Sequence, residues 1–300
     1  MADYRLVTDV TCDMRADILE DHHIEVIPME VMFDDGRTFF HYPDFRNFSE
    51  KDFYQELVDG HTTHTGQITP AKYLEVFEPI LKNGEDILYC CFSSALSNTY
   101  QSSLVAVESL KDKYPERTII SVDSRCASGG EGVLALSMAA NKKAGMTIEE
   151  NAEWLEENQL RLAHYFTVET LTYLKRGGRV SAATALVANT LNIKPVLYVD
   201  DNGALETACT VHGRKASMKR LVQMTLDTIE HPEEQVLYIG ETSCMEDAEL
   251  LKEMVLREIP CKGVEISPIG PVVGTHTGPG TLTLFSYGRK RLPEKYEKKN

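Results

Sequence analysis

The sequence has little positive charge for its length. Its 31 lysines and arginines are outnumbered by 46 aspartates and glutamates, which gives a formal net charge of −15. Nucleic-acid binding depends on clustered basic side chains that neutralise phosphates, so this composition argues against a nucleic-acid partner. Only the last dozen residues are basic, and we interpret them as a solvated tail.

The sequence also lacks long apolar runs and paired cysteine motifs. No run approaches the roughly 18 apolar residues that a membrane-spanning helix needs. Asp3, Arg5 and Asp9 lie where a secretory signal peptide would be apolar. The seven cysteines are scattered, with no CxxC pair and no histidine spacing typical of zinc. We therefore expect a reduced, cytoplasmic protein without a metal site, whose contact with membranes is transient and confined to the surface.

Signatures of nucleotide binding and of serine hydrolysis are missing too. Gly129-Gly130-Glu131-Gly132 is rich in glycine but matches neither the Walker pattern nor the dinucleotide fingerprint. No G-x-S-x-G elbow surrounds Ser93 or Ser94, the two serines that follow an apolar run. The sequence therefore predicts no ATP or NAD site, and no cofactor of its own.

The hydrophobic pattern of the first half predicts a parallel sheet with helices on its faces. Apolar runs such as YRLVTD, DILYCCF and RTIISVDS alternate with amphipathic segments such as AKYLEVFEPILK, SSLVAVESLKDKY and EGVLALSMAANKKAG. Ligands of such sheets bind outside the carboxyl ends of the strands, where loops lead into helices. Polar residues in those loops are therefore candidates for a binding site.

The pattern changes after a capped helix that begins near Thr147. Further strand-like runs follow, and Asp201-Asn202-Gly203 is typical of a hairpin turn between antiparallel strands. We predict an α/β protein of two domains. A parallel α/β domain covers residues 1–160, and an α/β domain with a mixed, largely antiparallel sheet covers residues 161–300.

Two strand-to-helix loops carry hydroxyl groups. Ser93 and Ser94 lie in one, and Thr65 with Gly66 lies in the other, just before a helix that starts at Thr69-Pro70. Helix N-termini present unpaired N–H groups and partial positive charge, so two such loops side by side would hold a single carboxylate. The alternative is that these hydroxyls only cap helices.

Two further segments are candidates for the same site. Residues 270–280 are too glycine-dense for a regular element and carry His276, which could equally be a structural histidine. Lys175, Arg176 and Arg179 flank two glycines and precede a predicted helix of small apolar residues. That segment is either a solvated basic turn or a ligand channel with an arginine at its mouth.

Six short stretches together resemble the DegV family, whose members include the fatty-acid-binding subunits of bacterial fatty acid kinase. Their order and spacing make the resemblance specific and extend it over nearly the whole chain. The stretches are LVTDVTCDM, SSALSNTYQSS, VDSRCASGG, YLKRGGRVS, LNIKPVL and GTHTGPG.

The resemblance implies a two-domain fold with one long-chain fatty acid buried between the domains. By the same resemblance, Thr65 and Gly66, the serine pair Ser93 and Ser94, and the nearby His276 bind the carboxylate. A separate ATP-dependent kinase subunit phosphorylates the presented carboxylate, and the acyl phosphate feeds phospholipid synthesis. The chain would then be a carrier with no catalytic residue.

The KRGGR stretch is expected to face the phosphate or the kinase, through Arg176 and its neighbour Arg179. Two positions depart from the family pattern. Many members read Thr-Ser-Gln where this chain has Thr65-Gly66-Gln67, and Asn98 replaces a usual glycine. Two alternatives stay open: a carrier of another apolar metabolite, and a serine hydrolase of lipid esters in which His276 activates Ser93 or Ser94.

Overall fold

The computed structural model describes residues 3–180 and 192–296. The predicted apolar helix after Arg179 falls largely on residues 181–191, outside the described residues. The strands are β1 (Tyr4–Asp9), β2 (Ile24–Ile27), β3 (Met29–Phe33), β4 (Thr38–His41), β5 (Thr63–Thr65), β6 (Asp86–Cys91), β7 (Ile119–Asp123), β8 (Leu162–Thr167), β9 (Ile193–Val199), β10 (Leu205–His212), β11 (Val236–Glu241), β12 (Gly263–Pro268) and β13 (Leu282–Tyr287). The helices are α1 (Ala16–Asp21), α2 (Glu50–Val58), α3 (Pro70–Lys82), α4 (Thr99–Lys111), α5 (Gly129–Lys143), α6 (Ile148–Asn158), α7 (Thr172–Arg176), α8 (Arg214–Thr228), α9 (Met245–Glu258) and α10 (Pro271–Thr277).

The first half forms the predicted parallel sheet, a four-stranded sheet in the order β2-β1-β6-β7. The central strand β6 is buried at every position because helices cover both faces of the sheet. Side chains of α3 and α4 pack on one face, and those of α5 and α6 pack on the other. The carboxyl ends of β1, β6 and β7 therefore open toward one edge, where the loops predicted to bind a ligand begin.

The second half forms the predicted mixed sheet, with six strands in the order β10-β9-β8-β13-β11-β12. Among the described strands of this sheet, only β11 and β12 pair in parallel, and the predicted hairpin joins β9 to β10 as antiparallel neighbours. Gly203 closes its turn at φ +84°, a conformation that glycine adopts without strain. The α/β fold class is thus confirmed, whereas the division at residue 160 stays a prediction.

A three-stranded antiparallel sheet, in the order β4-β3-β5, was not predicted from the sequence. It places Thr65 at the end of a strand, paired with Val31, whereas the sequence pattern had placed it in a loop. Gly66 follows the strand and donates its N–H to the carbonyl of Glu30 at 3.1 Å. The backbone around Thr65 is therefore held by sheet pairing.

The glycine-dense segment 270–280 contains the helix α10, so the prediction that it forms no regular element was wrong. Pro271 is pre-organised for the first helical position, and Gly278 ends the helix at φ +74°. Gly274 lies inside the helix because Tyr54 of α2 packs against it. A Cβ at Gly274 would be 2.3 Å from the Tyr54 hydroxyl oxygen.

The glycine-rich start of α5 brings this helix into close contact with the mixed sheet. A Cβ at Gly129 would lie 2.7 Å from the Phe285 ring, and a Cβ at Gly130 would lie 1.8 Å from His164 Nε2. The glycines thus allow the two halves of the protein to pack tightly. This packing explains why the Gly129-Gly130-Glu131-Gly132 motif is rich in glycine although it matches no nucleotide-binding pattern. Across the described residues, every helix is too short or too polar to cross a membrane.

Candidate functional site

A cavity of about 200 Å³ lies between the loops of the parallel sheet and one face of the mixed sheet. The opposite face of the mixed sheet is covered by α8 and α9. The cavity wall is largely apolar and includes side chains from both halves of the chain, among them Leu96, Phe166, Val199, Leu205, Val272 and Val273. Such a wall suits an apolar ligand, because removing apolar surface from contact with water is favourable.

Thr65 and His276 meet at one end of this cavity. The Thr65 Oγ1 and His276 Nε2 atoms are 2.9 Å apart and form a hydrogen bond. A second contact, between Thr63 Oγ1 and Thr275 Oγ1 at 2.9 Å, holds β5 against α10. Burial, and to a lesser degree the nearby Arg179, lower the pKa of the His276 imidazole to about 4, so the ring is neutral near pH 7.

The start of α4 lies against the loop that follows Thr65. Gln67 Nε2 donates to Ser102 Oγ at 3.0 Å, and the Ile68 N–H donates to Thr99 Oγ1 at 3.4 Å. These contacts place Ser97 and Asn98 across from the loop. The polar residues that line this end of the cavity are Thr65, Gly66, Gln67, Ser97, Asn98, Arg179 and His276, which we call the polar mouth.

The serine pair predicted to hold a carboxylate is not part of the cavity lining. Ser93 is fully buried, and its hydroxyl donates to the Gly203 carbonyl in the β9–β10 turn at 2.9 Å. Ser94 is exposed, and its hydroxyl donates to the Asp123 carboxylate at 2.5 Å. The structure therefore brings Thr65, Gly66 and His276 together but leaves both serines outside the polar mouth.

The two arginines of the KRGGR stretch have different surroundings. Arg179 lines the polar mouth, and its Nε donates to the Leu96 carbonyl at 3.1 Å. Arg176 lies outside the lining, with its guanidinium 5.5 Å from the centre of the Tyr173 ring. Arg179 is therefore placed to meet a ligand head group, whereas Arg176 lies beside the mouth.

Sequence reasoning missed Ser97, Asn98 and Gln67 as members of the polar mouth. The predicted helix in this region began at Ser102, three residues after the observed start at Thr99. With the start placed correctly, Ser97 and Asn98 would have stood immediately before a helix N-terminus. That position is where anion-binding side chains are typically found.

Two buried carboxyl groups lie beneath the cavity, next to the lining residue Thr11. Asp9 and Glu131 are both fully buried, and burial raises the pKa of each carboxyl. The Thr11 hydroxyl is 2.9 Å from Glu131 Oε2 and also contacts Asp9 Oδ1. Burial, and for Glu131 also the neighbouring Asp9, disfavours the charged forms of the two groups. The pair thus carries less negative charge toward a bound anion than two carboxylates would.

The hydrolase alternative needs a serine activated by a histidine. No histidine of residues 3–180 or 192–296 forms a hydrogen bond with Ser93 or Ser94, and the His276 ring contacts Thr65 instead. Within the same residues there is no cluster of three metal-ligating side chains. The geometry thus favours binding of an apolar ligand with a polar head group over hydrolysis.

Residues 3–289 match the sequence profile of a family described as "Uncharacterised protein, DegV family". A DegV domain-containing protein of Clostridium perfringens is 40% identical, and the match covers 98% of this chain and 100% of that protein. A DegV domain-containing protein of Lactococcus lactis is 32% identical, over 96% of this chain and 98% of the relative.

Solved structures with the same fold include two for which fatty acid binding is described. A fatty-acid-binding DegV family protein from Thermus thermophilus superposes with a TM-score of 0.86 at 27% identity, covering 96% of this chain and 100% of that chain. A Thermotoga maritima protein reported to reveal a fatty acid binding function superposes with a TM-score of 0.82 at 25% identity, again covering 96% and 100%.

Proposed function

This chain belongs to the DegV family, and from that premise we propose that it binds one long-chain fatty acid and presents the carboxylate to a separate ATP-dependent kinase. The observation that carries the proposal is the largely apolar cavity with the polar mouth, where Thr65 and His276 meet. The fatty acid binding described for the Thermus and Thermotoga relatives supports the choice of ligand. The acyl tail lies along the apolar wall, and the carboxylate lies at the mouth.

The acyl tail and the carboxylate of a fatty acid are each stabilised by a different part of the cavity, the tail by the apolar wall and the carboxylate by the polar mouth. Each buried methylene contributes roughly 0.8 kcal/mol, so a 16-carbon tail supplies on the order of 10 kcal/mol before the costs of ordering. Desolvating a carboxylate costs several kcal/mol unless it is hydrogen-bonded. Thr65, Ser97 and the neutral His276 offer hydrogen bonds, and Arg179 supplies positive charge.

The protein is then a carrier without a catalytic residue of its own. Its part in acyl phosphate formation is to hold the tail and to keep one carboxylate oxygen accessible to the kinase. Arg179 at the mouth and Arg176 beside it supply positive charge toward the incoming phosphate or the kinase surface. We place the protein in the cytoplasm, where the acyl phosphate is used for phospholipid synthesis, and we assign it no cofactor.

Replacing Ser97 with alanine should weaken fatty acid binding roughly tenfold, because a hydrogen bond to a charged group contributes about 1.5 kcal/mol or more. Binding is measured by titrating the delipidated protein with a fluorescent fatty acid and displacing the probe with oleate. Ser94→Ala is the matched control, since its hydroxyl bonds to Asp123 outside the cavity.

The same titration on a Ser93→Ala variant tests the prediction made for the serine pair from the sequence. If Ser93→Ala and Ser94→Ala weaken binding while Ser97→Ala does not, the carboxylate is held by the serine pair and our assignment of Ser97 is refuted. If none of the three variants changes the affinity for oleate, the head group does not bind at this end of the cavity.

A further inference from the structure

Two carboxyl groups meet where the start of α2 packs against the end of β11. Glu50 is the first residue of α2, in the first half of the chain, and Glu241 is the last residue of β11, in the mixed sheet. Glu241 is almost fully buried, and its Oε2 accepts the Cys244 N–H at 2.7 Å. The Glu50 carboxyl is hydrogen-bonded to the Glu241 carboxyl and accepts the N–H of Ser243. The pair therefore joins the two halves of the protein.

The contact between Glu50 and Glu241 requires a proton on one carboxyl, because two carboxylates have no hydrogen to share. Burial, and then the neighbouring Glu241, raise the pKa of Glu50 to about 7. The Ser243 N–H acts in the opposite direction, but its effect is smaller. The pair thus holds its proton in mildly acidic solution and loses it as the pH passes neutrality.

Other titratable or charged groups lie around the pair, namely Asp13, Tyr54, Cys244, Arg214 and Asp247. Burial raises the pKa of Asp13 to about 8, and it raises the pKa values of the Tyr54 hydroxyl and the Cys244 thiol further above neutrality. Arg214 is positively charged, but its Nε donates to Asp247 at 2.8 Å. The negative charge of the pair is therefore offset mainly by its own proton.

The helix α2 connects the pair to the cavity. The Tyr54 hydroxyl, one turn after Glu50, donates to the Ile269 carbonyl at 2.6 Å, and the Tyr54 ring packs against Gly274 of α10. Ile269 lines the cavity, as does α10 through His276. A shift of α2 at its first residue therefore moves the helix that forms one side of the cavity.

We propose that the Glu50–Glu241 pair is a pH-dependent latch, whose shared proton holds α2 against the mixed sheet and whose deprotonation loosens α10 and speeds release of the bound fatty acid. With both carboxyls ionised, two like charges repel each other across a hydrogen-bond contact. The raised pKa of Glu50 means that this stabilisation is present in full below the ordinary pKa of 4.5 and is lost as the pH rises through about 7. The link to release rests on the proposed function, whereas the proton on the pair is tested without any ligand.

Glu50→Gln tests the proposal, because the glutamine amide keeps the shape of a protonated glutamate and can donate to Glu241 at every pH. From about pH 5.5 to about pH 8, we expect the unfolding equilibrium constant of the delipidated parent to rise about tenfold more than that of Glu50→Gln, once solvent screening of the half-buried carboxyl is allowed for. Glu253→Gln, which removes an exposed carboxylate from α9, is the matched control and should keep the pH dependence of the parent. Asp13 is common to all three proteins, so its titration does not affect the comparison.

Release is measured as the rate at which excess oleate displaces a bound fluorescent fatty acid. Between about pH 6 and about pH 8, this rate should rise severalfold in the parent and in Glu253→Gln, and change by less than about twofold in Glu50→Gln. Equal pH dependence of unfolding in the parent and Glu50→Gln would show that the pair holds no proton and would overturn the inference. A difference in unfolding without a difference in release would also overturn it, because the latch would then not reach the cavity. If the parent binds no fatty acid, the proposed function and the link to release fail together, while the unfolding comparison still decides whether the pair is a pH-dependent contact.

Discussion

Replacing Val273 with tryptophan is expected to lower the affinity for a long-chain fatty acid by at least about a hundredfold. Val273 lies on α10, one helical turn before His276, and lines the cavity. An indole ring there occupies the space that the acyl chain would fill. Excluding about four methylenes removes roughly 3 kcal/mol of binding free energy, which corresponds to a factor of about a hundred.

The stability of the ligand-free variant separates blocked binding from misfolding. A side chain that fills a cavity adds packing contacts, so the unfolding temperature of the delipidated Val273→Trp variant should not fall. Val105→Trp is the matched control, because Val105 is 50% exposed on α4 and does not line the cavity. Oleate affinity that stays within a few-fold of the parent in Val273→Trp would place the acyl chain somewhere else.

Gly130→Ala is expected to destabilise the fold by about 3 kcal/mol or more, near the upper end for overpacked sites. The added Cβ would lie 1.8 Å from His164 Nε2, far inside van der Waals contact. His164 has little freedom to move away, since its Nδ1 is hydrogen-bonded to the Leu162 carbonyl at 2.9 Å and its ring packs edge-on against Phe285. Either α5 or the mixed sheet must therefore shift.

Chemical denaturation of the delipidated protein measures this change in the free energy of unfolding. Gly263→Ala is the control, because a Cβ at Gly263 would meet no atom within 4 Å. In the double variant Gly130→Ala/His164→Ala, the smaller side chain restores space, so the combined loss should be less than the sum of the two single losses. Additive losses would mean that the contact between α5 and β8 does not limit packing.

The regular elements of this fold could be predicted well because their side-chain patterns are unambiguous. The run of DILYCC is buried at every position as the central strand of a parallel sheet, and Asp201-Asn202-Gly203 forms the predicted hairpin turn. Thr147 caps α6 with the reciprocal hydrogen bonds of a capping box, as its spacing to Glu150 indicates. In these segments, local sequence and tertiary structure favour the same conformation.

The errors occurred where a contact distant in sequence decides the conformation. The helix α10 contains Gly274 because Tyr54, more than two hundred residues earlier, packs against that position. The strand β5 exists because Thr63 and Thr65 pair with β3, and a strand of three residues has too short a pattern to detect. The residue pattern within either segment does not indicate the distant partner that stabilises it.

The candidate site was only partly predictable for the same reason. Thr65 and His276 were candidates from the sequence pattern and from the resemblance, and the structure places their side chains 2.9 Å apart. The two adjacent serines after β6 were predicted to be the other half of the site. In the structure, the Ser93 hydroxyl is hydrogen-bonded to the β9–β10 turn and the Ser94 hydroxyl to Asp123. Which serine faces the cavity depends on the path of the loop between β6 and α4, and composition does not encode that path.

The most direct test of fatty acid binding is native mass spectrometry of the protein as purified from bacteria, followed by extraction and identification of the released lipid. We predict a one-to-one adduct with the mass of a C16 or C18 fatty acid, and its absence from the Val273→Trp variant prepared in parallel. A parent protein that carries no lipid and also takes up neither oleate nor palmitate when they are added would contradict the proposal that it binds a fatty acid.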